Sequence, residues 1–235
     1  MLAVILAGGQ GTRLRPYTTT IPKPLVPIGD RAILEIVLEQ LRRAGFGEIR
    51  MAVNHMAELI MAFFGDGEKL GLSIRYEVED QPLGTVGPLA RMADLPENFI
   101  VMNGDVLTDL DYGALFRHHV ERNALLTLSA YRRQETIDFG VLEIDSSSSR
   151  LVGFREKPRY DFDVSMGVYV FNRRLLERIP RDRPYGLDQL VLDLLAGNEP
   201  IQAYPFSGYW LDLGRPDDYD RANREIGKIL PEGVV

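Results

Sequence analysis

The sequence predicts an α/β protein, a parallel central sheet with helices on both of its faces. Three observations carry this. The chain opens on a continuous apolar run, Leu2 to Ala7, that ends in Gly8-Gly9; a strand without polar alternation is one buried on both faces. Through the first half, strand-like and helix-like segments alternate with short connections, the pattern of parallel βαβ units. In the second half strand follows strand through turns, which predicts antiparallel additions to that sheet.

The elements follow in order. Arg31 to Ala44 sets Ile33, Leu34, Val37, Leu38 and Leu41 at helical spacing, with Gly45 as the stop. Glu48 to Val53 is a strand, Met56 to Phe64 a helix ended by Gly65, and Leu72 to Val78 an alternating strand. Asn98 to Met102 is a short strand running into Asn103-Gly104-Asp105. Asp111 to Asn123 is a helix with Asp111 placed to cap it, and Leu125 to Tyr131 is the next strand. Phe139 to Ile144, Leu151 to Glu156 and Val164 to Phe171 are strands, with Ser146 to Ser149 as a hairpin turn. Helices are expected at Arg173 to Ile179 and Leu187 to Ala196, and strands at Pro200 to Pro205 and Tyr209 to Leu213. A last helix starts near Pro216, since proline suits a first turn.

Composition narrows the function. The 235 residues carry a net charge of −7 and no cysteine. The charge disfavours nucleic acid and anionic membranes as partners, and leaves an anionic small molecule possible where positive charge is concentrated. Without cysteine there is no disulfide framework and no thiolate metal site. Met1 to Ala7 is too short to span a membrane and has neither basic flank nor cleavage site. A cytoplasmic protein is the expectation.

Ligands of open α/β sheets bind at the carboxyl ends of the strands. Three polar groups fall there: the loop after Ala7, Asn103-Gly104-Asp105, and Asp212. In the first, Gly8, Gly9 and Gly11 let backbone N–H groups approach a phosphate. Arg13 offers a bidentate fork, and Pro22-Lys23-Pro24 holds a lysine in a stiff extended segment. The loop is neither a Walker A sequence nor G-x-G-x-x-G, because Leu14 stands at the third glycine position. Blander readings stand beside these: a tight strand-to-helix turn, Asp105 as a turn residue, Asp212 as a helix cap, and Glu156-Lys157 as a solvated strand end. Trp210 reads as packing, and His118 and His119 as surface or core-edge residues.

With Leu6-Ala-Gly-Gly-Gln-Gly-Thr-Arg-Leu14 and Pro22-Lys-Pro-Leu-Val-Pro27, the chain resembles the sugar-1-phosphate nucleotidyltransferase (NDP-sugar pyrophosphorylase) family. Pro82-Leu-Gly-Thr85, Asn103-Gly-Asp105, Phe139-Gly-Val141, Glu156-Lys-Pro158, Gly167-Val-Tyr169 and Trp210-Leu-Asp212 extend the resemblance over nearly the whole chain. It implies a three-layer, Rossmann-like nucleotidyltransferase fold with a mixed, mostly parallel sheet. It also implies Mg²⁺-dependent attack of a sugar 1-phosphate on the α-phosphate of an NTP, giving NDP-sugar and pyrophosphate. Ala7, Gly8, Gly9, Gly11, Thr12, Asn103 and Gly104 would cradle the nucleotide, with Gln81, Gly84 and Thr85 near the base. Arg13 would clamp the β- and γ-phosphates, Lys23 would bridge the reacting phosphates, and Asp105 and Asp212 would hold Mg²⁺. Gly140 would leave space for the sugar, Glu156 would bind its hydroxyls and Lys157 its phosphate. Ser165 stands where many relatives have asparagine in Asn-Ala-Gly, so the sugar is open.

Pro-Leu-Gly-Thr followed by Gly87-Pro88 is most similar to mannose-1-phosphate and heptose-1-phosphate guanylyltransferases, which favours GTP, with UTP, dTTP and CTP as alternatives. The resemblance places a single catalytic domain over residues 1–235, without a C-terminal left-handed β-helix, and allows a homodimer. Two other readings compete. One is an NDP-sugar-dependent glycosyltransferase using Asp109-Leu110-Asp111 for metal. The other is a regulatory subunit without activity, which the presence of Arg13, Lys23, Asp105 and Asp212 opposes.

Overall fold

The computed structural model describes residues 1–229. In chain order the elements are β1 (Leu2–Leu6), β2 (Pro27–Ile28), β3 (Arg31–Ala32), α1 (Ile33–Arg43), β4 (Glu48–Val53), α2 (Ala57–Phe64), β5 (Ser73–Val78), β6 (Asn98–Asn103) and β7 (Val106–Thr108). They continue with α3 (Tyr112–Glu121), β8 (Leu126–Thr136), β9 (Gly140–Ile144), β10 (Leu151–Glu156), β11 (Arg159–Asn172), α4 (Leu187–Ala196), β12 (Ile201–Phe206), β13 (Trp210–Asp212) and α5 (Pro216–Ile229).

Seven strands form the central sheet in the order β12-β8-β11-β6-β1-β4-β5. β11 runs antiparallel to both neighbours, and every other pairing is parallel. The opening strand is apolar throughout because both of its faces are covered. Ala3 and Ile5 pack with Leu34, Leu38, Ile60 and Leu115 from α1, α2 and α3. Leu2 and Val4 pack on the opposite face with Leu89, Leu175, Leu190 and Leu194. The molecule is therefore three layers, as predicted. A third apolar cluster, including Leu14, Val26, Ile33, Leu107, Leu213 and Tyr219, ties the loops at the carboxyl ends of the strands to α1 and α5.

The second half departs from the expectation in an instructive way. The strand expected at Val164 to Phe171 is the end of the longer β11; it is antiparallel, as expected, and it is inserted between β6 and β8. Its residues Met166 to Asn172 are buried, whereas its start is mostly exposed. A bulge separates the halves, between Ser165 and Tyr169, with Gly167 in the left-handed region at φ +78 where the Asn103 side chain presses against it. Among the described residues β9 and β10 pair only with each other. Their turn is an Asx turn, in which Asp145 Oδ1 accepts the N–H groups of Ser147 and Ser148 at 2.8 and 2.9 Å.

Smaller corrections have local causes. α1 starts at Ile33, since Arg31 and Ala32 pair with Pro27 and Ile28. The segment at Arg173–Arg178 is a 3₁₀ helix. The strand expected at Tyr209 to Leu213 is the three-residue β13, which pairs outside the main sheet with β7. Asp111 caps α3, its Oδ1 accepting the Ala114 N–H at 2.9 Å. His119 is not at the core edge. It is fully buried, shares hydrogen bonds with Thr127 Oγ1 at 2.8 Å and Asn98 Oδ1 at 3.1 Å, and burial pulls its pKa down to about 4.

Candidate active site

The site grows from the ends of β1 and β6. β1 stops at Leu6, and the glycine loop turns over it. Gly11 sits at φ +62, and a Cβ there would lie 2.9 Å from Thr18 Cγ2 and 3.0 Å from Lys23 Cβ, so only glycine lets the loop close on the lysine segment. The Gly11 carbonyl accepts the Thr18 hydroxyl at 2.8 Å and the Leu14 N–H at 2.9 Å, which closes a 3₁₀ turn over Thr12–Leu14. Leu14 is buried, which anchors the turn and leaves Arg13 exposed.

Lys23 is held differently from the expectation. Pro22 is extended, but Lys23 opens a 3₁₀ turn, Lys23–Leu25, closed by its carbonyl accepting the Val26 N–H at 3.1 Å. The residue is buried at 9% exposure and its Nζ pairs with Asp105 Oδ2. Burial lowers the Lys23 pKa to about 8; nearby Asp212 pulls upward and nearby Arg13 pushes further down.

Asp105 is fixed from both sides. Gly104 N–H donates to the Leu6 carbonyl at 3.0 Å, joining the turn after β6 to the end of β1, and Leu213 N–H donates to the Asp105 carbonyl at 3.0 Å. Pairing of β13 with β7 brings Asp212 opposite Val106, and Asp212 Oδ1 accepts the Gly214 N–H at 2.9 Å. Gly214 marks where the charges meet: a Cβ on it would stand 2.5 Å from Lys23 Nζ, 2.9 Å from Asp212 Oδ1 and 3.4 Å from an Arg13 guanidinium nitrogen.

These groups border a cleft of about 530 Å³. Of the residues predicted for nucleotide binding or chemistry, Ala7, Gly8, Gly9, Gly11, Thr12, Arg13, Lys23, Gly84, Thr85, Asn103, Gly104 and Asp105 line it. Asp212 stands behind Gly214 rather than on the wall, and Gln81 is exposed and off the wall. Gly140, Glu156, Lys157 and Ser165 do not line the cleft. Gly140 and Glu156 face each other across the β9–β10 hairpin. A Cβ on Gly140 would lie 2.7 Å from the Phe154 ring, so in this state the space beside it belongs to Phe154. Lys157 pairs with Asp138 at 2.7 Å in an exposed contact, and Ser165 Oγ lies 3.0 Å from the Tyr169 hydroxyl.

Sequence reasoning missed three residues here. Glu79, just past β5, lines the cleft. Its Oε2 accepts the Leu83 N–H at 3.0 Å, and its Oε1 faces Gly8, 3.3 Å from where a Cβ would be. Burial raises its pKa, against the lowering effects of the Leu83 N–H and Arg91. Asn54, also on the wall, donates to the Glu79 carbonyl at 2.8 Å. Gly214 is the third, and its place in the sequence Asp212-Leu213-Gly214 was the one available signal. The Asp-x-Asp of the glycosyltransferase reading is engaged structurally, with Asp109 Oδ1 accepting the Tyr209 N–H at 2.6 Å and Asp111 capping α3.

A glycine loop at the end of β1, with an arginine, a buried lysine and Asp105 on one cleft and Asp212 hydrogen-bonded to Gly214 of its wall, is an arrangement by which α/β proteins can hold phosphate groups. The chain belongs to the nucleotidyl transferase family, which matches residues 2–229. It is 36% identical over 231 residues to a mannose-1-phosphate guanylyltransferase of Mycobacterium tuberculosis, covering 95% of this chain and 64% of that protein. It is 32% identical over 259 residues to a UTP–glucose-1-phosphate uridylyltransferase of Synechocystis, covering all of this chain and 66% of the relative. The chain thus spans just under two thirds of the length of these relatives. Its fold matches the solved structure of HddC from Yersinia pseudotuberculosis complexed with GMP-PN, with a TM-score of 0.74 and 26% identity over 96% of this chain and 99% of that one.

Proposed function

We propose that the protein transfers a nucleotidyl group from GTP to a sugar 1-phosphate, mannose 1-phosphate or a related sugar. The observation that carries this reading is the convergence of Arg13, Lys23 and Asp212 at Gly214, with Asp105 paired to Lys23. In the reaction a phosphate oxygen of the sugar 1-phosphate bonds to the α-phosphorus. The bond from that phosphorus to the αβ-bridging oxygen breaks, and pyrophosphate leaves with its electron pair. Both reactants are polyanions, so alignment and fixed positive charge supply most of the catalysis. Arg13 neutralises the leaving pyrophosphate, and Lys23 lies between the reacting phosphates. Glu156 accepts hydrogen bonds from the sugar hydroxyls, and Lys157 exchanges its exposed partner Asp138 for the sugar phosphate.

Asp105 and Asp212 suit Mg²⁺. Among the described residues no group of three or more acidic, histidine or cysteine side chains could hold a metal. Two carboxylates completed by phosphate oxygens and water are a common Mg²⁺ shell. When bound, the ion would act as a Lewis acid on the α-phosphate. Among the described residues no helix is long and apolar enough to cross a membrane, and a cytoplasmic location suits both substrates.

The preference for GTP is supported by Glu79. A carboxylate accepts two adjacent N–H donors, which guanine presents on its Watson–Crick edge, whereas uracil and thymine present one donor between two carbonyls. The deciding experiment incubates the protein with Mg²⁺, each NTP and a panel of sugar 1-phosphates including mannose and heptose, and measures pyrophosphate. Release with GTP is expected; a panel with no release from any pair sinks the reading. In the same assay Glu79→Gln, which offers one acceptor and one donor, should lower the GTP-to-UTP ratio of kcat/KM by roughly 10–100-fold. An unchanged ratio would remove Glu79 from base selection.

Lys23 gives the reaction a pH limit. Its pKa is held down to about 8 in the free enzyme, and only the protonated form attracts phosphate. The value of kcat/KM for the nucleotide, which reports the free enzyme, should therefore fall as pH rises through about 8. Lys23→Arg keeps its charge at every working pH, so its profile should lack that fall, whatever its absolute rate. A basic limb that survives the substitution would assign the titration to another group.

A further inference from the structure

We infer that Asp218 and Arg133 are positioning residues that hold Asp212 in its reacting place and fasten it to the β8–β11 arm. The inference rests on Asp212 acting in the reaction proposed above.

Asp218 lies in the first turn of α5 and is 6% exposed. Its Oδ2 accepts two hydrogen bonds, from the Asp212 backbone N–H at 3.3 Å and from the Arg133 guanidinium at 3.3 Å. An ionised acid so deeply placed needs a cation, and Arg133 supplies it from β8, far away in sequence. Arg133 is itself constrained. Its Nε donates to Glu135 at 2.9 Å, and its guanidinium lies 5.8 Å from the Trp210 ring centroid. Trp210 Nε1 donates to the Met166 carbonyl at 2.9 Å, beside Ser165.

A continuous chain of contacts therefore runs from the bulge of β11 through Trp210, Arg133 and Asp218 to the backbone of Asp212. The outer parts of β8 and β11 pair with each other, and the β9–β10 hairpin with Glu156 and Lys157 is the connection between them. The Asp212 side chain itself is steered from the other end, by the Gly214 N–H. Asp218 thus sets the backbone from which that side chain projects, and does so through a residue of the arm that carries the sugar-phosphate candidates.

The test compares Asp218→Asn, Arg133→Gln and Asp212→Asn singly, and Asp218→Asn combined with Asp212→Asn. Asp218→Asn and Arg133→Gln should each lower kcat about tenfold or more. Asp218→Asn, which removes the buried charge itself, should melt close to the parent, whereas Arg133→Gln, which leaves that charge without its cation, should melt lower. Adding Asp218→Asn to Asp212→Asn should cost nothing further, because the group it positions is already gone. Trp210 is the sole tryptophan, two residues from Asp212, so Mn²⁺ quenching of its emission, with GTP present and sugar phosphate omitted, reports ion binding without turnover. Asp218→Asn should raise the half-quenching Mn²⁺ concentration about tenfold.

Wild-type kcat and Mn²⁺ response in both single variants would overturn the proposal. So would an Asp218→Asn effect of equal size on the parent and Asp212→Asn backgrounds, the behaviour of a residue that only stabilises the fold. Wild-type kcat in Asp212→Asn would overturn it by a different route, by removing Asp212 from the reaction.

Discussion

Asp105→Asn is expected to lower kcat by about 10³-fold while leaving the fold intact. Asparagine keeps the shape and one acceptor, so the contact with Lys23 Nζ can persist as an ordinary hydrogen bond. The backbone of residue 105 is held independently, by the Leu213 N–H on its carbonyl. What is lost is a negative charge beside a buried ammonium and an oxygen donor for a divalent ion. Steady-state kinetics with circular dichroism and a thermal melt check the result. Near-wild-type turnover would show that Asp105 is only the turn residue its Asn-Gly-Asp setting also permits. Weakened turnover accompanied by unfolding would say the same.

Gly214→Ala is expected to lower kcat by about 10²-fold, the cost of displacing reacting groups by roughly 1 Å. The added methyl would stand 2.5 Å from Lys23 Nζ and 2.9 Å from Asp212 Oδ1. Both are ends of side chains that can swing away, so stability should change little while the charges separate. Arg13, 3.4 Å from the same point, would be moved least. The melting temperature should remain near that of the parent, and the loss should appear in kcat more than in nucleotide binding. Unaltered kcat would mean that the charges around Gly214 do not depend on their spacing.

The parts of the site that were legible in the sequence are those with local physical causes. β1 announces itself because a strand buried on two faces must be apolar throughout, and the glycines follow because backbone must pass close to Lys23 and Thr18. Asp111 as a cap and the serine turn were readable for the same reason, since their hydrogen bonds reach only two or three residues along the chain. Lys23 was found by its neighbours, Pro22 and Pro24, although they place it in a 3₁₀ turn rather than an extended segment.

The misses are of another kind. Glu79 follows an unremarkable strand, and the Leu83 N–H donated to its carboxylate, from four residues along the loop, holds it at the cleft. Asp218 looks like any acid in a first helical turn, and its meaning depends on an arginine 85 residues away. His119 sits among polar residues of a surface-like helix segment, yet Thr127 and Asn98 close over it from two strands.

The sequence by itself determined the alternation of strand and helix, the ends of β1 and β6 as the place for chemistry, and the residue types gathered there. These follow from periodicity and turn chemistry, which act over a few residues. Only the tertiary structure decided that β11 enters the middle of the sheet, that the β9–β10 hairpin stays out of that sheet, and that Gly214 is where Arg13, Lys23 and Asp212 meet. Lys23 and Asp105 are 82 residues apart, and no local preference encodes such a meeting. It is fixed by the packing of the whole sheet, where burying both faces of every central strand allows one arrangement of the loops above them.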